Sequence, residues 1–536
     1  MSFETLPSQS GILPAVMALF LAGGSLIVYL AGAIVSRLSL GKEAESPRSF
    51  NLALPSGRPA EELFAISIVS SATTLSTVFI LFLTSAGAMG FHLLLCPVSF
   101  CIGTLFMLFV YKRIKKKGYL DDSSYSGLVP YFIFQMTGSK ALGYLLLFAS
   151  VLPLLAILTL EIRYGIVFID YLVHDISSTV LDTARFFDLT FIIFIIFIVL
   201  LLGYVFVGGF RAVVTSDVWQ YKTMTTSLTF VLISTVVLAV QRRSNLHWDS
   251  LHPPSITALL PFYVEISIIN FFTPLCLATT WQRFRAFQGS GTNFSKGSRA
   301  AIAKALYLWG ILIGIALIFQ IVAGYHVPAG QDGFYIFLDE IKAQNDWFRL
   351  FVFPMLSVAA FSGMYSSSDT CISALLYLTE SGRAWNRRSS SDAPAHNHYR
   401  WAILGIFMMA LTMYLGVKLA VATGNLMFVA KAIFGDAVII APTVFLLTML
   451  EPPVTLSERR SRSLHIMISI FSGLVAYWLC MTVSTGRGLF LRDWSIFVGL
   501  FVSTVPAYIL ARRERSKRKE DRDGRVFTNT ERAALR

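Results

Sequence analysis

Charged residues are scarce in this chain of 536 residues, since Asp, Glu, Lys and Arg together make up only 14% of it. Hydrophobic residues account for 55%. An average soluble domain carries a charged fraction of about 25%. The shortage of charge therefore argues against a soluble enzyme and for a protein embedded in lipid.

Motifs of several catalytic and metal-binding classes are missing as well. The five cysteines all fall in apolar stretches, and none has the CxxC spacing of a zinc or redox site. The eight histidines form no HExxH motif, and no GxxxxGK[ST] loop is present to bind the phosphates of ATP. We expect neither an enzyme nor an ATP-driven pump, so any transport needs another energy source.

Apolar stretches of roughly 20 residues, long enough to cross a bilayer, recur along the chain. They predict an all-α polytopic membrane protein with about thirteen transmembrane helices. The predicted spans are 11–36, 62–87, 91–111, 142–171, 188–207, 213–240, 262–282, 301–324, 350–380, 401–423, 426–450, 464–484 and 493–511. We interpret the first as a retained helix rather than a signal peptide, because it lacks a basic leading segment.

Positive charge is distributed unevenly between the connections. Alternate connections are rich in Lys and Arg, as in the run 112–117, whereas the opposite ones hold few cations. The positive-inside rule then predicts an external N-terminus and a cytoplasmic C-terminus, in a plasma or bacterial inner membrane. The basic tail over 512–536 is expected to be disordered and to contact anionic inner-leaflet lipid rather than nucleic acid.

The run 208–220 (GGFRAVVTSDVWQ) connects the fifth and sixth predicted spans. Its glycine pair predicts a tight reversal. Asp217 lies inside an apolar span, where a carboxylate needs a partner, an ion or a water-filled cavity; it is either functional, a partner for Arg211 or a charge at a helix end. The run closely resembles the GG-x-[KR]-AV-x-x-TD-x-x-Q signature of the sodium/solute symporter family, with Ser216 where many members have Thr.

Two predicted spans concentrate hydroxyl groups: the second, over 67–77 (SIVSSATTLST), and the ninth, over 362–370 (SGMYSSSDT). Single serines in such helices commonly bond to their own backbone or permit close packing. Together with Asp369, the two clusters favour a cation site, because sodium is a hard ion that prefers oxygen ligands. The ninth-span run resembles the M-S-T-A-D-S segment of the same family, with Tyr365 where an apolar residue is usual.

The resemblance implies the leucine-transporter fold, with two inverted five-helix repeats and a broken first core helix. On that pattern the chain divides into an N-terminal helix and cytoplasmic loop, a ten-helix transport core, two peripheral helices and a basic tail. These regions are 1–60, 61–450 (with repeats 61–240 and 262–450), 451–511 and 512–536.

The resemblance also implies ion ligands. One sodium site would use carbonyls of the broken helix and of the ninth span together with two serine hydroxyls; its residues are Ser70, Thr73, Gly363, Ser366 and Ser367. Some family members bind a second sodium, which here would use Asp217, Asp369 and Thr370. Two carboxylates would repel each other in an empty site, so a proton could substitute for that sodium.

The seventh span ends in a third matching run, 281–288 (WQRFRAFQ), which resembles the family's Q-R-x-x-A-x-[KQ] stretch. Arg283 in this run is expected to have a structural or gating role at the inner interface. Counting back along the helix places Asn270 and Thr273 near the membrane centre. Asn270 falls where sugar-transporting relatives bind substrate, or it makes a helix–helix hydrogen bond. Glu161, late in the fourth span, is a candidate to line an outer vestibule or to pair with a neighbouring charge.

The substrate-binding candidates come from the broken helix and the seventh span. They are Thr74, Ser76, Thr77, Asn270 and Thr273. Thr77 stands where sugar transporters carry a substrate-binding glutamine, which weakens a sugar assignment. An ionic or zwitterionic solute is then as well supported as a neutral polyol.

The sequence as a whole predicts a sodium-coupled secondary symporter that imports a small polar or zwitterionic organic solute by alternating access. Sodium is the co-transported ion and not a prosthetic group. The alternatives are a proton-coupled or sodium-independent transporter or exchanger on the same fold, and a membrane solute sensor that does not transport.

Overall fold

The computed structural model describes residues 12–38, 52–55, 57–117, 129–180, 183–251, 256–325, 333–384, 405, 426–451, 453, 455–482 and 494–534. These residues form helices and connections, with no β-strand among them. The α-helices are α1 (Ile12–Leu38), α2 (Ala60–Ala72), α3 (Ile80–Met89), α4 (Leu95–Lys116), α5 (Val129–Thr137), α6 (Lys140–Val180), α7 (Thr183–Gln241), α8 (Ile256–Cys276), α9 (Ala278–Gln288), α10 (Phe294–Ala323), α11 (Gly333–Gln344), α12 (Phe353–Ala384), α13 (Leu426–Met449), α14 (Leu456–Thr482) and α15 (Ser495–Ala534).

Nine helical stretches of the described residues are long and apolar enough to cross a membrane, and the bent pair at 60–87 makes a tenth. The other predicted spans fall on helices, while 401–423 lies outside the described residues except for residue 405. Large apolar side chains such as Phe20 and Phe471 are exposed, as expected for a surface that faces lipid. The chain is therefore an integral membrane protein, while the count of thirteen spans stays a prediction.

The reversal predicted from the glycine pair occurs at Gly209, which has φ 55° and ψ −145°. Residues on both sides are helical, so α7 is two spans joined at this glycine. Its 59 residues would reach roughly 90 Å as one straight helix, about three times the hydrocarbon thickness. Glycine permits the reversal because this positive φ is strained for residues with a Cβ atom.

Helix α12 lies at the centre of the bundle. In the segment 348–378, 83% of the most apolar stretch is buried, compared with 28% for α1. It packs against α7, α6, α1 and α2. The hydroxyl-rich second and ninth predicted spans are therefore neighbours, which brings their polar faces to one place.

The last helix, α15, extends through Ala534 and so includes most of the tail that the sequence predicted to be disordered. The tail is rich in Arg, Lys and Glu, which are good helix formers despite their charge. At its start, Arg462 of α14 pairs with Glu514 at 2.5 Å and donates to the Glu451 carbonyl. These contacts attach the beginning of the tail to α14.

Candidate functional site

The second span is broken at Thr73 and Thr74, where the helix axis bends by 67°. Thr73 ends α2 with φ −94° and ψ 89°, and Thr74 is extended with φ −94° and ψ 153°. Thr73 donates to the Val69 carbonyl, while Thr74 accepts the Thr77 amide at 3.0 Å. The two threonines therefore replace part of the backbone hydrogen bonding that the break removes.

Glu161 of α6 completes the cap of the second half-helix. Its two carboxylate oxygens accept the Leu75 amide at 3.1 Å and the Ser76 amide at 3.0 Å. The Ser76 hydroxyl donates to the same carboxylate. The Glu161 side chain is fully buried. This cap was not predicted from the sequence, although a lone glutamate in an apolar span was a sign that a partner exists.

The five residues predicted to hold sodium lie together where α12 passes the break. A Cβ atom on Gly363 would stand 3.2 Å from the Thr73 carbonyl oxygen, so the two backbones approach closely. Ser367 donates to the Gly363 carbonyl at 2.9 Å. Ser366 and Ser70 both contact Asp217, through its carboxylate and its backbone carbonyl respectively. All five residues are buried.

Asp217 forms a fully buried ion pair with Arg283. The Arg283 Nη2 atom lies 3.1 Å from Asp217 Oδ2, and neither side chain is exposed. Ser67 donates to the same carboxylate oxygen at 2.5 Å and accepts from Arg283 Nε at 2.7 Å. The sequence suggested Arg211 as one possible ionic partner of Asp217. In the structure the partner is Arg283 of α9.

The residues predicted for a second sodium are placed in two different environments. Thr370 accepts from Arg283 Nη2 at 2.8 Å and so joins the Asp217 ion pair. Asp369 faces α7, where its Oδ2 atom accepts from Tyr204, from Ser216 at 3.0 Å and from Gln220 at 3.4 Å. Neighbouring residues on a helix point about 100° apart, which explains why Asp369 and Thr370 separate.

Asp369 is a buried carboxyl group whose Oδ1 atom has no hydrogen-bond partner among the described residues. Its three donors are two hydroxyls and an amide, so they supply no formal positive charge. An ionised carboxylate in such a place is costly without a cation or a proton. A bound cation or a proton on Asp369 would offset this cost.

A cavity of about 100 Å³ opens beside the break, between the broken helix and α8. Four of the five predicted substrate residues line it, and the fifth, Ser76, turns to Glu161 instead. Aromatic rings of Phe82, Phe100 and Trp309 supply much of the remaining wall. No acidic or basic side chain of the described residues lines this cavity.

The polar groups of the cavity are partly engaged with their own helices. Asn270 donates its amide to the Ile266 carbonyl at 2.8 Å, and Thr273 donates to the Ile269 carbonyl at 2.6 Å. The Thr74 and Thr77 hydroxyls bond to each other at 2.5 Å. What remains for a ligand is acceptor capacity on the Asn270 carbonyl and the hydroxyl lone pairs, the second N–H of the Asn270 amide, and one hydroxyl hydrogen of the Thr74–Thr77 pair.

No protein-family model matches this sequence, and no curated protein matches it. Among solved structures, the chain is similar to a Na+-coupled sialic acid symporter in a substrate-bound outward-open state, reported with a novel Na+ site. The TM-score is 0.59 at 15% identity, over 92% of this chain and 97% of that one. It is also similar to a manganese transporter of Eremococcus coleocola, with a TM-score of 0.51 at 14% identity, over 88% and 99% of the two chains. The chain has the leucine-transporter fold.

Proposed function

We propose that this protein is a secondary active symporter that uses the inward movement of sodium to import a small polar solute by alternating access. The observation that supports the proposal is the close approach of Gly363 in α12 to the Thr73 carbonyl at the break, with Ser70 and Ser366 both bonded to Asp217. Ser367, one helical turn after Gly363, completes the predicted set. The coupling ion, the direction and the solute are all part of this proposal, as is the membrane orientation expected from the charge pattern.

The chemistry of the break suits sodium. Helix α2 ends there, so its last carbonyls carry the partial negative charge of a helix C-terminus. Half-helix C-termini and unwound carbonyls coordinate sodium in transporters with broken helices. The Ser366 and Ser367 hydroxyls would add two neutral oxygens from α12. The site would then hold a monovalent cation without a carboxylate ligand, because Asp217 is already neutralised by Arg283.

Coupling follows if sodium binds one conformation better than the other, because a ligand shifts an equilibrium only through its differential affinity. A sodium ion between α2 and α12 would tie the broken helix to the centre of the bundle. Thr74, which forms the break, also lines the cavity. Ordering of the break by sodium would therefore also order part of the solute site.

The test is the melting temperature of the purified protein in sodium, potassium and choline chloride at equal ionic strength. A ligand of the native state raises stability by mass action, by about 2.7 kcal/mol at a concentration of 100 Kd. We expect a rise specific to sodium, which Ser367→Ala reduces. Ser357→Ala is the matched control, because Ser357 is a buried serine bonded to its own helix about 15 Å away.

Loss of the sodium effect in both serine variants, or in neither, would contradict the assignment of Ser367. Absence of any sodium effect on the unmodified protein would contradict sodium coupling itself. Solutes that add to the sodium effect are then assayed for uptake into proteoliposomes. Net uptake separates a symporter from a sensor that only binds.

Proton coupling is the second candidate, and Asp369 is the observation that favours it. This carboxyl group is buried and has no cationic hydrogen-bond donor among the described residues. A proton would neutralise it at the least cost. Uptake driven by a pH gradient without sodium, and abolished in Asp369→Asn, would replace sodium coupling with proton coupling.

A further inference from the structure

We propose that Glu161 fills, from within the chain, the anion-binding position at the break of the second span, and that the solute is therefore uncharged. The inference rests on the proposed function, because it takes the cavity beside the break to be the solute site. It makes Glu161 a residue that determines specificity, although Glu161 does not line the cavity.

The break presents an anion-binding position in the form of backbone amides that have no acceptor within their own helix. The second half-helix runs from Leu75 to Met89 without interruption. Its first amides cannot bond within the helix, and its N-terminus carries a partial positive charge. Such half-helix N-termini bind the anionic groups of substrates in transporters with broken helices.

Glu161 already occupies this position. One oxygen of its carboxylate takes the Leu75 amide, and the other takes both the amide and the hydroxyl of Ser76. A substrate carboxylate would find these donors used and would face the Glu161 charge at close range, where like charges repel strongly. An anionic or zwitterionic solute therefore has no place to bind its carboxylate at the break.

The cavity offers no substitute partner for a charge. Its polar lining consists of hydroxyls and one amide, from Ser71, Thr74, Thr77, Asn270 and Thr273. A charge buried there would lack an opposite charge, which is costly in a low-dielectric site. A neutral solute with a hydroxyl or amide donor can instead bond to the Asn270 carbonyl and the threonine oxygens. The cap thus selects against an anionic group, and the lining, which has no charged side chain among the described residues, selects against a charge of either sign.

The cap is tested by chemical rescue of Glu161→Ala, measured as melting temperature in potassium buffer. Removal of the carboxylate leaves the two amides without an acceptor, so we expect the variant to melt lower than the unmodified protein. Acetate or formate should then restore about 3 °C or more in the variant and leave the unmodified protein unchanged. Acetamide at the same concentration is the neutral control.

An equal response of Glu161→Ala to acetate and acetamide would overturn the cap. Should Glu161→Ala fail to fold even with acetate, Glu161→Gln decides, because it keeps the shape and removes the charge. We expect Glu161→Gln to melt lower than the unmodified protein; equal stability would overturn the proposal.

The solute class is tested with four compounds that share one three-carbon skeleton: lactamide (neutral), lactate (anion), alaninamide (cation) and alanine (zwitterion). We expect only lactamide to raise the melting temperature of the unmodified protein in sodium, and lactate to gain an effect in Glu161→Ala. A charged member that stabilises the unmodified protein as much as lactamide does would overturn the inference. If none binds the unmodified protein, the response of Glu161→Ala to lactate decides.

Failure of this inference and failure of the proposed function give different results. Rescue by acetate without any effect of sodium would keep the cap and reject sodium coupling. A sodium effect without rescue would keep sodium coupling and reject the cap.

Discussion

The Asp217 carboxylate and the Arg283 guanidinium meet at 3.1 Å with both side chains fully withdrawn from the surface. Ser67 bonds to both members of the pair, and the Arg283 guanidinium also lies over the Phe210 ring, 5.9 Å from its centroid. Arg283 also bonds to Thr370 of α12 and to the Thr279 carbonyl of its own helix. Helices α2, α7, α9 and α12 are thus joined at one point, on the α2 side of the break.

Breaking this pair from one side should be strongly destabilising. Asp217→Asn leaves the buried Arg283 charge without an anion, and removal of one partner of such a pair costs about 3–5 kcal/mol. The double variant Asp217→Asn with Arg283→Gln should recover part of this loss, since it leaves no unpaired charge. Unfolding of the single and double variants in denaturant measures the interaction as a double-mutant cycle.

The exposed pair Arg58–Glu62, at 3.6 Å, provides the comparison for this cycle. Its side chains are 37% and 44% exposed, and such surface pairs contribute about 0–1 kcal/mol. Glu62→Gln should therefore change stability little. Strictly additive costs for Asp217 and Arg283 would mean that the two charges do not depend on each other.

A second prediction concerns the reversal between the two spans of α7. Gly209→Ala forces a side chain into φ 55°, ψ −145°, a conformation that costs about 1–3 kcal/mol for a non-glycine residue. We expect a lower melting temperature and a lower folded yield. Gly203→Ala, in the same helix, is the control, because its Cβ atom would meet only ordinary contact at 3.7 Å from Leu30. Equal effects of the two substitutions would argue against strain at Gly209.

The sequence indicates the spans and this reversal because both depend on local features. Length and hydropathy identify a span wherever it lies in the fold, and a glycine pair identifies a turn between two of them. The two hydroxyl-rich runs likewise mark both sides of the break before their contact is known. These features can be predicted because each one is contained in a short stretch of sequence.

The role of Glu161 could not be predicted from the sequence, because two of the three hydrogen bonds that its carboxylate accepts come from backbone amides. The Ser76 amide lies 85 residues away in sequence, and no side-chain pattern records it. The division of Asp369 from Thr370 was missed for another reason. A linear motif groups adjacent residues, whereas a helix turns them to different neighbours, Tyr204 for Asp369 and Arg283 for Thr370.

The close approach of α12 to the break gives a third prediction. In Gly363→Ala, the added Cβ atom would lie 3.0 Å from the Phe79 ring and 3.2 Å from the Thr73 carbonyl. Overpacking of this kind costs about 1–3 kcal/mol. Because Thr73 is a proposed sodium ligand, we also expect a smaller sodium-dependent rise in melting temperature.

Gly310→Ala is the control for Gly363→Ala. Gly310 lies within α10, and a Cβ atom there would meet nothing within 4 Å. Alanine favours a helix over glycine by up to about 1 kcal/mol, so this variant should be as stable as the unmodified protein or more so. A full sodium effect in Gly363→Ala would show that the backbone spacing at the break is not required for the ion.

Two buried tyrosines provide the last prediction, which tests the Asp369 cluster. Tyr204 and Tyr365 are both fully buried, but only Tyr204 donates to Asp369, whereas the Tyr365 hydroxyl has no hydrogen-bond partner among the described residues. Tyr204→Phe should cost about 1–3 kcal/mol, because it withdraws a donor from a buried carboxyl group. Tyr365→Phe removes a hydroxyl that makes no such bond and should leave stability unchanged or raised. Thermal unfolding of the two variants, with the same ring retained in each, measures the contribution of the Tyr204 hydroxyl, which donates to Asp369 and accepts from Gln220 at 3.5 Å. Equal stability of the two would mean that this hydroxyl contributes nothing to holding the Asp369 carboxyl in place.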